Sequence, residues 1–204
     1  MIDLWGKLPS RPSDPRIKHR RLKQITKFVV HAIDADNWAP EKLNALCTGI
    51  DATPDDFTDD LKTMRAEPYC SYHDYIRIDG SWNHLVEYDI VTWHASGHNT
   101  SAIGVALEYR PGRGVLPAHV MMEGLIEYLS IGCYALAISP HEIYGHRELL
   151  GTGFVMDGTK KRLLKECPGM LIDLDRLRED VMIHMGNNFD DLANSDNDAF
   201  YRAV

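Results

Sequence analysis

Short apolar runs along the chain predict its strands. Residues 27–33 (KFVVHAI) and 101–109 (SAIGVALEY) are rich in β-branched and aliphatic side chains, a composition typical of buried strands. Within residues 72–87 apolar and polar positions alternate on both sides of Asp79-Gly80, and this dipeptide is a strong hairpin signal. The segment HEIYGHRE, residues 141–148, predicts a short strand followed by a turn.

Apolar positions at helical spacing predict the remaining elements. In residues 117–138 they recur every three or four positions, which indicates a long helix. Residues 40–66 predict a short helix and a loop, and residues 171–185 predict a last helix with Asp173 at its N-cap. Since strands alternate with helices, we expect an α/β fold with a central mixed β-sheet flanked by helices.

The two ends of the chain differ from its middle. Residues 1–24 are rich in proline and arginine and predict an irregular segment that wraps the domain. Residues 186–204 are polar and acidic and predict a C-terminal tail. A length of 204 residues suits one domain, so residues 25–185 are expected to form a single catalytic domain.

Charge and composition exclude several classes of protein. The net charge is −8, which disfavours nucleic-acid binding because that binding needs clustered cations. No apolar run approaches the roughly 20 residues of a membrane span, and the N-terminus lacks the apolar core of a signal peptide. We therefore expect a monomer made in the cytoplasm, with no nucleic-acid partner and no stable membrane insertion.

The stretch KECPG, residues 165–169, contains a candidate reactive cysteine. A proline disfavours helix at the residue before it, so Cys167 is expected in extended chain with Lys165 on the same face. A neighbouring cation favours the thiolate, which is the form that ligates metals or attacks carbonyls. Cys167 therefore has three possible roles: a metal ligand, a nucleophile or a buried structural thiol.

Two histidines favour the metal interpretation. His31 ends one predicted strand and His146 follows another, and strand ends collect site residues in α/β folds. Two imidazoles and one thiolate suit Zn²⁺ with a fourth position left open. The wide spacing of these residues specifies such a site only weakly.

Five segments of the chain carry a family resemblance. In order they are FVVHAI, SYHDYIRIDGSWNHLV, TWHASGHNTSAIGVALE, ISPHEIYGHRE and KECPGMLID, and they span about residues 25–178. Together they resemble the zinc-dependent N-acetylmuramoyl-L-alanine amidases, a family shared by phage amidase-type lysozymes, cytosolic muropeptide amidases and peptidoglycan recognition proteins. The resemblance implies the fold of that family.

The resemblance also implies roles for individual residues. The implied metal ligands are His31, His146 and Cys167. Tyr72 and Lys165 match the family's catalytic tyrosine and lysine, which would stabilise the developing oxyanion. His94 matches a histidine that lines the substrate groove. His73 is expected on the sheet face opposite to its neighbour Tyr72, in a structural role.

One position departs from the family pattern. Cytosolic relatives carry a glutamate two residues after the glycine of the strand IGVA, and this chain has Ala106 there. Glu108 lies on the same strand face. The general base is therefore either Glu108 or the metal-activated water alone, and a salt bridge at the rim is the other role open to Glu108.

The function implied is zinc-dependent hydrolysis of the amide bond between N-acetylmuramic acid and L-alanine in peptidoglycan. A phage-type endolysin, released to act on the cell wall as a bacteriolytic and antimicrobial enzyme, fits a chain without a signal peptide. The alternatives are a cytosolic muropeptide-recycling amidase and a peptidoglycan-binding module without activity, and a cysteine peptidase is a distant third. The complete set of ligands favours a hydrolase.

Overall fold

A mixed β-sheet forms the centre of the protein. The computed structural model describes residues 2–33, 38–50, 67–111, 114–149, 155–157, 160–162 and 166–187. Six strands build the sheet: β1 (Ile2–Asp3), β2 (Lys27–Ala32), β3 (Asp74–Ile76), β4 (Trp82–His84), β5 (Ala102–Leu107) and β6 (Ile143–Gly145). Their order is β1-β4-β3-β5-β2-β6, and only β3 and β4 are antiparallel neighbours.

Helices cover both faces of this sheet, as predicted. They are α1 (Pro40–Thr48), α2 (His119–Leu136), α3 (His146–Leu149) and α4 (Leu174–Asn187). A separate antiparallel pair, β7 (Val155–Asp157) and β8 (Lys160–Arg162), follows α3. None of the described helices combines the length and apolarity needed to cross a bilayer.

Strand alternation divides the core into two layers. Phe28 and Val30 of β2 point to one face and pack with Leu125 and Leu129 of α2. The opposite face carries Val29 and His31 from the same strand, and a second apolar cluster with Leu43 of α1 lies on that side. His31 therefore projects away from the α2 layer.

The first 24 residues pack against this second layer. Leu4, Trp5 and Ile17 contact its apolar cluster, and β1 adds a short edge strand to the sheet. Arg20 is buried and donates hydrogen bonds to the carbonyl oxygens of Tyr88 at 2.7 Å and Ala102 at 2.7 Å. The segment predicted to be irregular thus contributes one strand, and its cation fixes the backbone of the loop before β5.

Most of the other predicted helices and strands are confirmed, and the turn predicted after Gly145 differs. Asp173 caps α4 by accepting a hydrogen bond from the backbone N–H of Arg176 at 3.0 Å. The turn predicted after Gly145 is instead the short helix α3, because the Glu148 carboxylate accepts from the Gly145 N–H at 2.8 Å, a bond typical of helix starts. Residues 51–66 of the predicted helix and loop, and 188–204 of the predicted tail, lie outside the described residues.

Candidate active site

Parallel pairing of β2 with β6 brings two histidines together. Val30 is the register partner of Gly145, so His31, the next residue of β2, lies beside His146, the first residue after β6. Their ring centroids lie 4.6 Å apart, and both side chains are largely buried. Two residues far apart in sequence therefore form one edge of a site.

Cys167 completes this group. Its Sγ lies 3.7 Å from Nδ1 of His31, and the nearest ligand atoms of His31, His146 and Cys167 all lie within 4.8 Å of one another. The backbone N–H of Ala32 donates to the same sulfur at 3.3 Å. Cys167 occupies a turn closed by a hydrogen bond from Gly169 N–H to the Glu166 carbonyl, with a cis bond to Pro168.

The three donors fit a tetrahedral metal. Bonds of ~2.0–2.3 Å at tetrahedral angles set N and S ligand atoms roughly 3.5 Å apart, close to the distance between the Cys167 sulfur and His31. Two imidazoles with one thiolate are typical ligands of Zn²⁺. Cys167 is partly exposed, so the group can be reached from solvent.

Tyr72, an implied catalytic residue, lies beside the histidines. Its ring centroid is 5.1 Å from that of His31. Burial raises the pKa of Tyr72 well above its usual value, so its hydroxyl is protonated and can donate a hydrogen bond. Lys165, the other implied catalytic residue, lies outside the described residues. Its predicted position on the same face as Cys167 therefore stays a prediction.

His94 lies behind His31. Its Nδ1 is 3.1 Å from Nε2 of His31, and only 7% of the residue is exposed. Burial lowers the pKa of His94 to about 3, so the ring is neutral. The structure brings His94 to the site but buries its ring, and the predicted role in lining the groove stays a prediction.

His73 lies in the layer beneath His94, and its prediction on the opposite sheet face is wrong. The two rings are 6.0 Å apart. The alternation was counted from Tyr72, which lies before β3 (Asp74–Ile76), whereas the His73 N–H donates to the Gly104 carbonyl at 2.9 Å and so continues the pairing of β3 with β5. The His73 ring meets the Gly104 N–H at 3.0 Å and the buried guanidinium of Arg20 at 2.9 Å, and these contacts are compatible with the predicted structural role.

Glu108 lies in a salt bridge. Its carboxylate accepts from Arg77 Nε at 3.2 Å and from the backbone N–H of Ile78 at 3.1 Å. The Glu108 side chain is fully buried, whereas the Arg77 side chain is 31% exposed, so the ion pair reaches from the interior to the surface. Of the roles open to Glu108, its contacts support the salt bridge.

Arg147 is a site residue that the sequence analysis missed. It follows His146 in the segment GHRE, and its guanidinium donates to the carbonyl oxygens of Gly169 and Ile172. Its role depends on loop contacts that residue spacing does not give.

Known proteins share this architecture. The family model described as N-acetylmuramoyl-L-alanine amidase matches residues 21–169. No curated protein matches the sequence. Because that family model covers most of the chain, it assigns the family independently of any single relative.

Three solved structures are similar to the chain in fold. The endolysin amidase LysCS from Clostridium intestinale has a TM-score of 0.60 at 18% identity, covering 89% of this chain and 94% of that one. Drosophila PGRP-LB has a TM-score of 0.57 at 17% identity, with coverages of 82% and 86%. A complex of peptidoglycan recognition proteins LCa and LCx with tracheal cytotoxin gives 0.58 at 18% identity, with coverages of 84% and 92%. From the family match and this shared fold, the chain belongs to the N-acetylmuramoyl-L-alanine amidase family and is a peptidoglycan amidase.

Proposed function

We propose that the protein is a zinc-dependent amidase of the endolysin type. The observation that carries the zinc dependence is the convergence of His31, His146 and Cys167 at one end of the sheet. Support for the endolysin role comes from the fold shared with LysCS, which is itself named an endolysin. Ala106 adds to this, because it stands where recycling relatives carry a glutamate and packs in the apolar layer instead.

The residues of the site have distinct tasks in the proposed reaction. His31, through Nδ1, with His146 and Cys167 would hold Zn²⁺. Bound there, Zn²⁺ would supply Lewis acidity and lower the pKa of a water to roughly 7. The Tyr72 hydroxyl would donate a hydrogen bond to the carbonyl oxygen of the substrate, and Lys165 is proposed to supply positive charge that stabilises the developing oxyanion.

The partner we propose is peptidoglycan, with the amide between N-acetylmuramic acid and L-alanine as the bond cut. The similar proteins LCa and LCx were solved with tracheal cytotoxin, which supports a ligand of this class. In the endolysin role the enzyme acts on the cell wall after release, as a monomer and a bacteriolytic agent. A recycling amidase would instead prefer small soluble muropeptides.

Product analysis with and without metal tests the proposal. Purified sacculi and soluble muropeptides are incubated with the protein before and after dialysis against a strong chelator. We expect new N-terminal alanine, no new reducing sugar ends, faster turnover of sacculi, and recovery of the dialysed protein by Zn²⁺ alone. Full activity in metal-free protein overturns the zinc dependence, reducing ends overturn the bond assignment, and preference for muropeptides overturns the endolysin role.

A further inference from the structure

We propose that His94 is a positioning residue that fixes the orientation and tautomer of His31, and this inference rests on the proposed zinc site. The geometry that leads to it is a pair of contacts on one ring. Nε2 of His31 faces Nδ1 of His94 at 3.1 Å, while Nδ1 of His31 faces the Cys167 sulfur at 3.7 Å. One nitrogen of His31 thus meets a side chain behind the site, and the other meets a proposed ligand.

The positions of the protons on the two imidazole rings give the direction of the hydrogen bond between His31 and His94. A neutral imidazole carries its proton on one nitrogen, and the nitrogen that binds a metal must present a lone pair. Since Nδ1 of His31 faces Cys167, Nε2 carries the proton and donates it to Nδ1 of His94. Metal-binding histidines generally have such an acceptor on their second nitrogen.

The surroundings of His94 hold its acceptor nitrogen in place. A Cβ added at Gly104 would lie 2.6 Å from the His94 ring, so the ring packs directly on the β5 backbone. The Asn99 side chain accepts from the backbone N–H of His94 at 3.1 Å and of Ala95 at 2.7 Å. Packing and hydrogen bonds therefore fix His94 before any metal arrives.

This role differs from that of a groove residue. A side chain that binds substrate changes KM when it is replaced, whereas a residue behind a ligand changes metal affinity. Loss of such an outer hydrogen bond typically weakens metal binding by about 10–100-fold. Because His94 is buried and its Nδ1 meets His31, we expect the second effect.

Two substitutions separate the hydrogen bond from the packing. His94→Phe keeps a ring against Gly104 but removes the acceptor, and His94→Asn keeps an acceptor near the Nδ1 position but removes the ring. Zinc affinity is measured for each purified variant by competition with a chromophoric chelator, beside KM and kcat. We expect His94→Phe to lose about 10–100-fold in zinc affinity and His94→Asn to stay closer to the original protein.

Different results overturn different conclusions. Original-strength zinc binding by His94→Phe, a greater loss in His94→Asn than in His94→Phe, or a change confined to KM overturns the positioning role. A protein that takes up no zinc before any substitution overturns the proposed function itself. If the variants do not fold, NMR of the ring nitrogens in the unsubstituted, zinc-loaded protein gives the answer: a proton on Nε2 of His31 supports the role, and a proton on Nδ1 overturns it.

Discussion

The backbone N–H of Arg147 donates a hydrogen bond to the carbonyl oxygen of Cys167 at 2.8 Å. The residue directly after one proposed metal ligand is thereby joined to the backbone of another. The Arg147 guanidinium extends this link by donating to the carbonyl oxygens of Gly169 and Ile172, the latter at 2.7 Å. A single arginine thus fixes the cysteine-bearing turn against the end of β6.

Removing the Arg147 side chain should loosen this turn and the metal site with it. Hydrogen bonds from a charged donor are worth about 1.5–3 kcal/mol, so Arg147→Ala should lower the free energy of unfolding by about that amount. Zinc affinity should fall as well, because Cys167 loses its support. Urea denaturation and chelator competition measure the two effects.

Arg176→Ala is the matched control for this change. Arg176 lies on the exposed surface of α4 and pairs with neighbouring carboxylates such as Glu179. Exposed ion pairs of this kind contribute little. Equal effects of the two substitutions on zinc affinity would contradict the proposed role of Arg147.

Cys167→Ala and Lys165→Ala should separate metal binding from catalysis. The first removes a proposed ligand, so zinc stoichiometry, thermal stability and activity should all fall. The second leaves the three ligands in place, so zinc should remain while turnover falls by about 10²–10³, mainly in kcat. Atomic spectroscopy beside initial rates gives the comparison. Stoichiometric zinc in Cys167→Ala, or original turnover in Lys165→Ala, contradicts these roles.

Local sequence patterns predicted the fold well in those elements whose formation is dominated by the burial of apolar side chains. Strands β2 and β5 are continuous apolar runs, and α2 has a clear helical repeat, so burial alone indicates them. Helix α3 was missed because it spans only four residues and starts with a hydrogen bond that the Glu148 carboxylate accepts from the Gly145 N–H. Such a bond leaves no periodic signal.

In the site, too, local motifs predicted some residues, whereas others depend on contacts that only the folded structure gives. The proposed ligands were found because their motifs resemble a family, and the register of β2 with β6 explains why His31 and His146 meet. The predicted location of His73 was wrong because strand alternation was counted from Tyr72, which lies before β3. The burial of His94 against Gly104 depends on a close backbone approach that no spacing rule gives.

Glu108→Gln should affect stability more than turnover. The substitution keeps the shape but removes the charge that pairs with Arg77 in a buried setting. A buried acceptor weakened in this way costs about 1–3 kcal/mol, so the urea midpoint should fall. Turnover per folded molecule, measured below the unfolding transition, should stay unchanged. A collapse of kcat in folded protein would instead indicate that Glu108 is the general base.

A buried charge cluster under α2 should make stability depend on pH. The Asp74 carboxylate accepts from His84 Nδ1 at 3.0 Å, from the Tyr128 hydroxyl at 2.6 Å and from the Tyr88 hydroxyl at 3.3 Å. Burial alone would lower the pKa of His84, but the charge of Asp74 and its hydrogen bond, with a smaller contribution from Glu87, raise it to about 10. His84 is therefore a cation in the folded protein at neutral pH.

The pH dependence follows from this raised pKa. In the unfolded chain His84 titrates near 6.5, so its contribution to stability is fully present below that pH and is lost as pH rises through about 10. Thermal unfolding between these two pH values should show a falling Tm in the original protein and a flatter profile in His84→Gln. His119→Gln removes an exposed histidine that pairs with Glu123, and it should keep the original profile. Parallel profiles for the original protein and His84→Gln would show that the His84–Asp74 pair does not carry this dependence.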